Sequence, residues 1–110
     1  MIKDSKGEVI IEELKIFDTF SKRLKGLMFE DEIPSGHAVL LEPCNSIHTF
    51  FMKFDIGVIY LDEKDMVIRG PETMKSWRLG PIVKSAKKVI EYDYRNTDIK
   101  VNIGDKLKIL

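Results

Sequence analysis

Apolar residues along the chain come in short runs broken by turn formers about every ten positions, the rhythm of short strands. Residues 8–17 read as a strand or a bent pair of strands. Val9, Ile10 and Ile11 are β-branched, and Leu14, Ile16 and Phe17 continue the apolar pattern. The period then changes. Asp18-Thr19 offers an N-cap, and Phe20, Leu24, Leu27 and Met28 fall on one face of a short helix over residues 19–27. Lys22, Arg23 and Lys25 lie opposite, and Gly26 either ends the helix or permits close backbone approach.

Pro34-Ser35-Gly36 forms a turn, and residues 37–42 form a buried strand that Pro43 ends. Residues 46–54 are the densest apolar-aromatic stretch. If extended, they place His48, Phe50, Met52 and Phe54 on one face and Ile47, Thr49, Phe51 and Lys53 on the other. Residues 57–61 and 66–69 pair as a hairpin around Asp62-Glu63-Lys64-Asp65, and Gly70-Pro71 breaks its second strand. Residues 86–92 make a strand. Residues 99–103 and 106–110 read as two more around Gly104-Asp105. The pattern predicts one mainly β domain over residues 1–110, a sandwich or barrel with one short helix near residues 19–27.

Charge narrows the partners. Lys+Arg and Asp+Glu number 18 each, which argues against a strongly basic nucleic-acid binder, so no nucleic-acid partner is expected. The two halves differ, net −3 over residues 1–55 and +3 over 56–110, with most of the basic excess in 69–95. That excess reads as a solvated face or a modest anion-attracting patch. A single cysteine excludes a disulfide framework and a thiolate zinc knuckle. No apolar run approaches the roughly 20 residues of a membrane span. The charged N-terminus has no signal core, so the expected location is the cytoplasm unless a signal segment has been removed. With no Gln, three Asn, fourteen Lys and nine Glu, the composition is of a heat-adapted kind.

Chemistry-capable groups concentrate in residues 44–54. Cys44 and His48 could act as nucleophile and base. The bland alternative is a buried thiol beside a hydrogen-bonded core histidine. His37, Cys44, His48 and Met52 form a conceivable soft-metal set, but no C-x-x-C, H-E-x-x-H or H-x-H pattern supports it, and neither metal nor cofactor is expected. A binding pocket is the third option. Asn45, His48, Thr49 and Met52 would meet Trp77, a stacking face, and Arg78, a carboxylate or phosphate grip. Alternatively Trp77 is a core plug and Arg78 pairs with Asp55 or Asp62. Arg23 is expected to tie a strand carboxylate or a loop carbonyl. No phosphate-binding glycine loop and no G-x-S-x-G elbow is present.

Several residues fall in one recognisable order: Arg23-x-x-Gly26-Leu27-Met28, Ser46-Ile47-His48-Thr49-x-x-Met52-x-Phe54, Tyr60-Leu61-Asp62, Val67, Trp77-Arg78, Ala86-x-x-Val89-x-Glu91 and Gly104-Asp105. In this the chain resembles the family catalogued as domain of unknown function 192, small bacterial and archaeal proteins. The resemblance spans roughly residues 8–110. It implies a mainly β, jelly-roll-like sandwich and supplies no reaction. Its signature positions map onto Arg23, Gly26, His48, Met52, Trp77 and Arg78, with Arg23, Gly26, Gly104 and Asp105 expected as structural motif residues. The chain departs from the pattern twice: Asp55-Ile56-Gly57 replaces Pro-Ile-Asp, and Asp93-Tyr94-Arg95-Asn96 replaces Pro-Ala-Gly.

These readings lead to a non-enzymatic binding or interaction module with a pocket around His48 and Trp77, taking a small polar or anionic ligand or a peptide. The alternative is a hydrolase-type enzyme using His48 as general base. A third class is structural, the motif specifying the fold while function lies on a partner surface.

Overall fold

The computed structural model describes residues 1–110. In chain order the elements are β1 (Ile2–Lys3), β2 (Val9–Ile11), β3 (Glu13–Phe17), α1 (Phe20–Lys25), β4 (His37–Leu41), β5 (Ile56–Leu61), β6 (Val67–Met74), β7 (Lys88–Tyr92) and β8 (Lys108–Ile109). They form a five-stranded sheet in the order β3-β4-β7-β5-β6 and a three-stranded sheet in the order β2-β1-β8. The chain is mainly β with one short helix, as the polarity pattern predicts. All pairings are antiparallel except β3 with β4, which are parallel and lie on either side of α1 in the chain.

The central strands are apolar on both faces because both faces are covered. Ala38 and Leu40 of β4, Ile59 and Leu61 of β5, and Ile90 and Tyr92 of β7 pack with Ile2 and Ile11 from the smaller sheet and with Ile99, Val101 and Leu107. Their alternates, Val39, Leu41, Ile56, Val58, Tyr60 and Val89, face a second cover made of irregular chain. That cover is anchored by Leu27, Ile33, Ile47, Met52, Phe54 and Ala86. Each such anchor, fully buried, contributes about 1.5–3 kcal/mol.

Four details differ from the sequence pattern. The expected strand pair at residues 8–17 bends so sharply that β2 and β3 join different sheets. The helix has fewer than two turns and buries none of its residues. Phe20 and Leu24 are exposed, and the apolar anchor falls after Gly26, on Leu27. Gly70-Pro71 does not break β6, which runs on to Met74. Gly70 takes φ +92° at an irregularity opposite Val58–Tyr60, and a Cβ there would lie 2.5 Å from the Val58 carbonyl oxygen. Because β6 is an edge strand, Pro71 can lack an N–H without costing a ladder bond. Finally, residues 99–103 bury Ile99 and Val101 without joining a sheet. Gly104 and Asp105 instead clamp β6: Gly104 N donates to Val67 O and Val67 N to Asp105 O, each at 2.8 Å.

The two departures from the family pattern have visible causes. Gly57 lies opposite Tyr92 in the β5–β7 register, and the tyrosine ring covers it. Asp93, almost fully buried, accepts from Arg95 N, Nε and Nη2, while Asn96 Nδ2 donates to Ile33 O, so the 93–96 loop is tied to itself and to the 33–36 turn. A Cβ at Gly57 would stand 2.2 Å from Tyr92 Cζ. Gly57→Ala is therefore expected to destabilise the fold by about 2–3 kcal/mol or more, read as a lowered urea midpoint. The double change with Tyr92→Leu should recover part of that loss.

Candidate functional site

The irregular cover over the second face must satisfy its own backbone, and Thr49 is the centre of that network. Its hydroxyl, fully buried, donates to Lys75 O at 2.6 Å and accepts from Arg78 N at 2.9 Å. Its backbone N–H donates to Arg78 O, and its carbonyl accepts from Trp77 N. Gly80 N to Ile47 O and Val83 N to Asn45 O continue the seam. The 45–52 and 75–83 segments are thus brought together mainly by backbone bonds. A strand-like register exists only at His48 opposite Leu79.

His48 belongs to the same network. Its Nε2 lies 3.0 Å from Leu24 O, and Phe50 N donates to its Nδ1 at 3.1 Å. A carbonyl can only accept and an amide N–H can only donate, so the ring is neutral with its proton on Nε2. Both nitrogens are committed to backbone, and neither is free to move a proton to or from a substrate. Cys44 is equally unsuited to attack. Its thiol donates to Ser46 O at 3.2 Å, and burial pushes its pKa up, so the thiolate is disfavoured.

His48 lines a cavity of about 350 Å³ between α1, the 43–48 loop and the central strand β7. Asn45, Met52, Cys44, Arg23 and Gly26 also line it, and the exposed side chains of Phe20, Leu24 and Leu79 rim it. Thr49, Trp77 and Arg78 are outside this lining. Trp77 is exposed and borders a separate depression with Phe29 and Phe51, its ring centroid 4.8 Å from that of Phe51. The only link from the indole to the imidazole runs through Phe50, at 6.4 Å from Trp77 and 5.4 Å from His48. Arg78 is exposed, and its Nη1 reaches only Trp77 O. Asp55 does not pair with it but accepts from Ser76 N. His37 lines a third depression with Lys25 and Glu30, so the four soft donors do not gather at one point.

Arg23 ties loop carbonyls, as expected: Nη1 donates to Asp18 O at 2.8 Å and to Glu42 O at 3.4 Å. Its Nε and Nη2 donors have no partner in the protein. Thr19 caps α1 by accepting from Lys22 N, and Gly26 closes it at φ +47°.

The residue that sequence reasoning passed over is Glu91. It lies on β7, the middle strand, flanked in register by Val39 and Val58. Its side chain lines the cavity and is 1% exposed, and neither carboxyl oxygen has a hydrogen-bond partner. Burial alone raises its pKa from 4.5 to about 8, so the group is a neutral acid at pH 7. Gly26 lies directly over it: a Cβ at that position would be 3.3 Å from Glu91 Oε1. The Tyr60 hydroxyl, on the same face, is also buried and unpartnered, and its pKa is pushed up to about 12 by burial. One signal for Glu91 was present in the sequence. Glu91 stands among Val89, Ile90 and Tyr92 in the strand segment and is one of the positions of the ordered motif.

The profile of DUF192, described as "Uncharacterized ACR", matches residues 1–109. The chain belongs to this family. A UPF0127 protein of Thermococcus kodakarensis is 39% identical over 97 residues, covering 83% of this chain and 60% of that protein, so the chain spans about three fifths of that relative. A UPF0127 protein of Pyrococcus horikoshii is 35% identical over 114 residues, covering 98% of this chain and 96% of that protein. A crystal structure of a protein of unknown function from Novosphingobium aromaticivorans matches with a TM-score of 0.75 at 16% identity, over 98% of this chain and 81% of that one, a likeness of fold. No helix of this DUF192 member is long and apolar enough to cross a membrane.

Two outcomes follow from the geometry. Glu91 binds a proton in the folded state that the unfolded chain gives up, so folded stability falls as pH rises between about 4.5 and about 8. Glu91→Gln should abolish that contribution, up to about 1.4 kcal/mol per pH unit, in urea unfolding compared across this range. A Glu91→Gln protein with an unchanged pH slope would contradict the neutral-acid assignment. Thr49→Val leaves the Lys75 carbonyl and the Arg78 N–H without their buried partner. It should cost about 1–3 kcal/mol in the same assay, with Thr49→Ser retaining most of the stability.

Proposed function

We propose that this chain is a non-enzymatic binding module whose ligand occupies the cavity between α1, the 43–48 loop and β7. The observation that carries this reading is Glu91: a carboxyl on the central strand, buried, without a partner among the protein's own groups, in the lining of a cavity of about 350 Å³. Native proteins satisfy nearly all buried polar side chains, and a carboxyl with no partner among the protein's own groups, in the lining of a cavity, supports a partner that enters by that cavity. The cavity has the composition of a ligand site, with apolar walls from Leu41, Ile47 and Met52 and a few convergent polar groups from Arg23, Asn45 and Glu91.

Binding fits better than catalysis. The hydrolase alternative needs a free base at His48, and its two nitrogens are held by Leu24 and Phe50 backbone. His48 serves the site by fixing α1 to the 45–52 loop, which sets the distance across the cavity. Thr49, Trp77 and Arg78 support the same wall from behind through the backbone seam. Asn45 and Met52 are left as direct ligand contacts.

A fragment library screened against ¹⁵N-labelled protein tests this reading. Bound fragments should shift the amides of Gly26, Asn45 and Glu91, and Asn45→Trp, a change at an exposed position on the rim, should weaken them by at least about tenfold. Fragments that instead perturb Phe29, Phe51 and Trp77, or a library with no response at the cavity, would overturn it.

A further inference from the structure

We infer that the ligand of this cavity is a small organic carboxylate with an apolar tail, its anionic head held between Arg23 and the Glu91 carboxyl group. The inference rests on the binding reading above and gives the site a substrate class.

Donor count is the first argument. Arg23, one of the lining residues, spends only Nη1 on the protein, leaving its Nε and Nη2 N–H groups without a protein partner. A guanidinium fork matches a carboxylate in geometry and charge. Glu91, with no cation paired to it, has no means of holding a negative charge in that environment and stands as an O–H donor. A carboxylate accepts from both. An ammonium ligand would have to ionise Glu91 while lying in the field of Arg23, and a neutral head group would leave the guanidinium charge unanswered.

Shape is the second argument. Besides Arg23, Glu91, Asn45, Ser46 and His48 the side chains of the lining are mostly apolar, and they continue outward to Phe20, Leu24 and Leu79, all more than half exposed. An apolar tail running from the floor to that rim would cover side chains that now face water. A bare inorganic anion would leave them uncovered.

Other charges near Glu91 do not change the balance. From α1 the only one facing the cavity is Arg23. From the 43–48 loop the titratable groups are Cys44, held as a thiol, and the neutral His48. From β5 the neighbour is the Tyr60 hydroxyl.

Octanoate, octylammonium and octanol share one tail and differ in the head, and they separate the possibilities. Binding is read by calorimetry and by amide shifts at Gly26 and Asn45. Octanoate should bind at least about tenfold more tightly than the other two at pH 7. Octanoate stays ionised from about pH 7 to about pH 9.5, so the pH response reports the protein. Its affinity should fall by up to about tenfold per pH unit once Glu91 ionises, and Glu91→Gln should bind it without that fall. Arg23→Lys, which keeps the charge and loses the fork, should weaken octanoate by about tenfold and leave octanol unchanged. Its thermal unfolding confirms that the chain is folded.

Tighter binding of octylammonium or octanol at the cavity would overturn the carboxylate assignment and leave the binding module standing. Octanoate binding with no pH response, or one unchanged in Glu91→Gln, would also overturn it. If none of the three binds, the carboxylate assignment fails, and the fragment screen decides separately whether the cavity binds anything.

Discussion

The site depends on one constraint: a sheet buried on both faces, one of whose covers is not itself a sheet. Backbone polar groups under such a cover need partners, and no ladder supplies them. The 45–52 and 75–83 segments meet that need by bonding to each other through Thr49, with His48 adding a bond to the end of α1. The geometry of this stitching leaves the space between α1 and the 43–48 loop unfilled. The floor of that space is the central strand, and the residue presented there is Glu91.

Placing an acid at that position works against stability. Glutamate is rarely buried without a partner, and here desolvation alone pushes its pKa up from 4.5 to about 8. A valine, like its register neighbours Val39 and Val58, would fill the same face with no desolvation cost. Gly26 lies over the acid. At φ +47° it closes α1, and a Cβ there would stand 3.3 Å from Glu91 Oε1, so a side chain at this position would crowd the acid. Glu91 is thus a buried acid that the packing of this face does not require.

Much of the fold was legible in the chain. Strands β4 and β5 are nearly continuous apolar runs and β7 is an apolar segment carrying Lys88 and Glu91, and each reads as a strand from the chain. The β6 continuation was hidden because Gly70-Pro71 signals a break anywhere except on an edge strand, and edge position is a tertiary fact. The helix was legible as a helix, but not the exposure of its apolar face, because Phe20 and Leu24 rim a cavity instead of filling a core. For the candidate site, the sequence grouped residues 45–52 with Trp77 and Arg78, whereas the cavity joins them to α1 and β7. His48 and Asn45 face α1 and β7, not Trp77 and Arg78. Glu91 stands in the ordered motif, but the burial that makes it exceptional is not legible there, since one carboxyl in a five-residue strand is normally a solvent-facing position.

The 45–54 segment shows why period-two reasoning fails there. Phe50 and Phe51 are consecutive and both exposed, while Thr49, Met52 and Phe54 are buried. No extended strand can send adjacent side chains to one side. The chain does it with a turn in which Phe51 takes φ +62°. Phe29 and Trp77, whose rings contact Phe51 or share its depression, take φ +68° and +62°. Left-handed backbone at a bulky residue costs on the order of 1–3 kcal/mol each, so three in one cluster are retained only because other contacts fix them. The fixing contacts are known: Phe29 N donates to Phe51 O, Trp77 N to Thr49 O, and Met52 N to Thr49 O. The strain, the outward aromatics and the inward Met52 are therefore consequences of one turn. That turn brings Met52 beneath Gly26 and gives the cavity its inner wall.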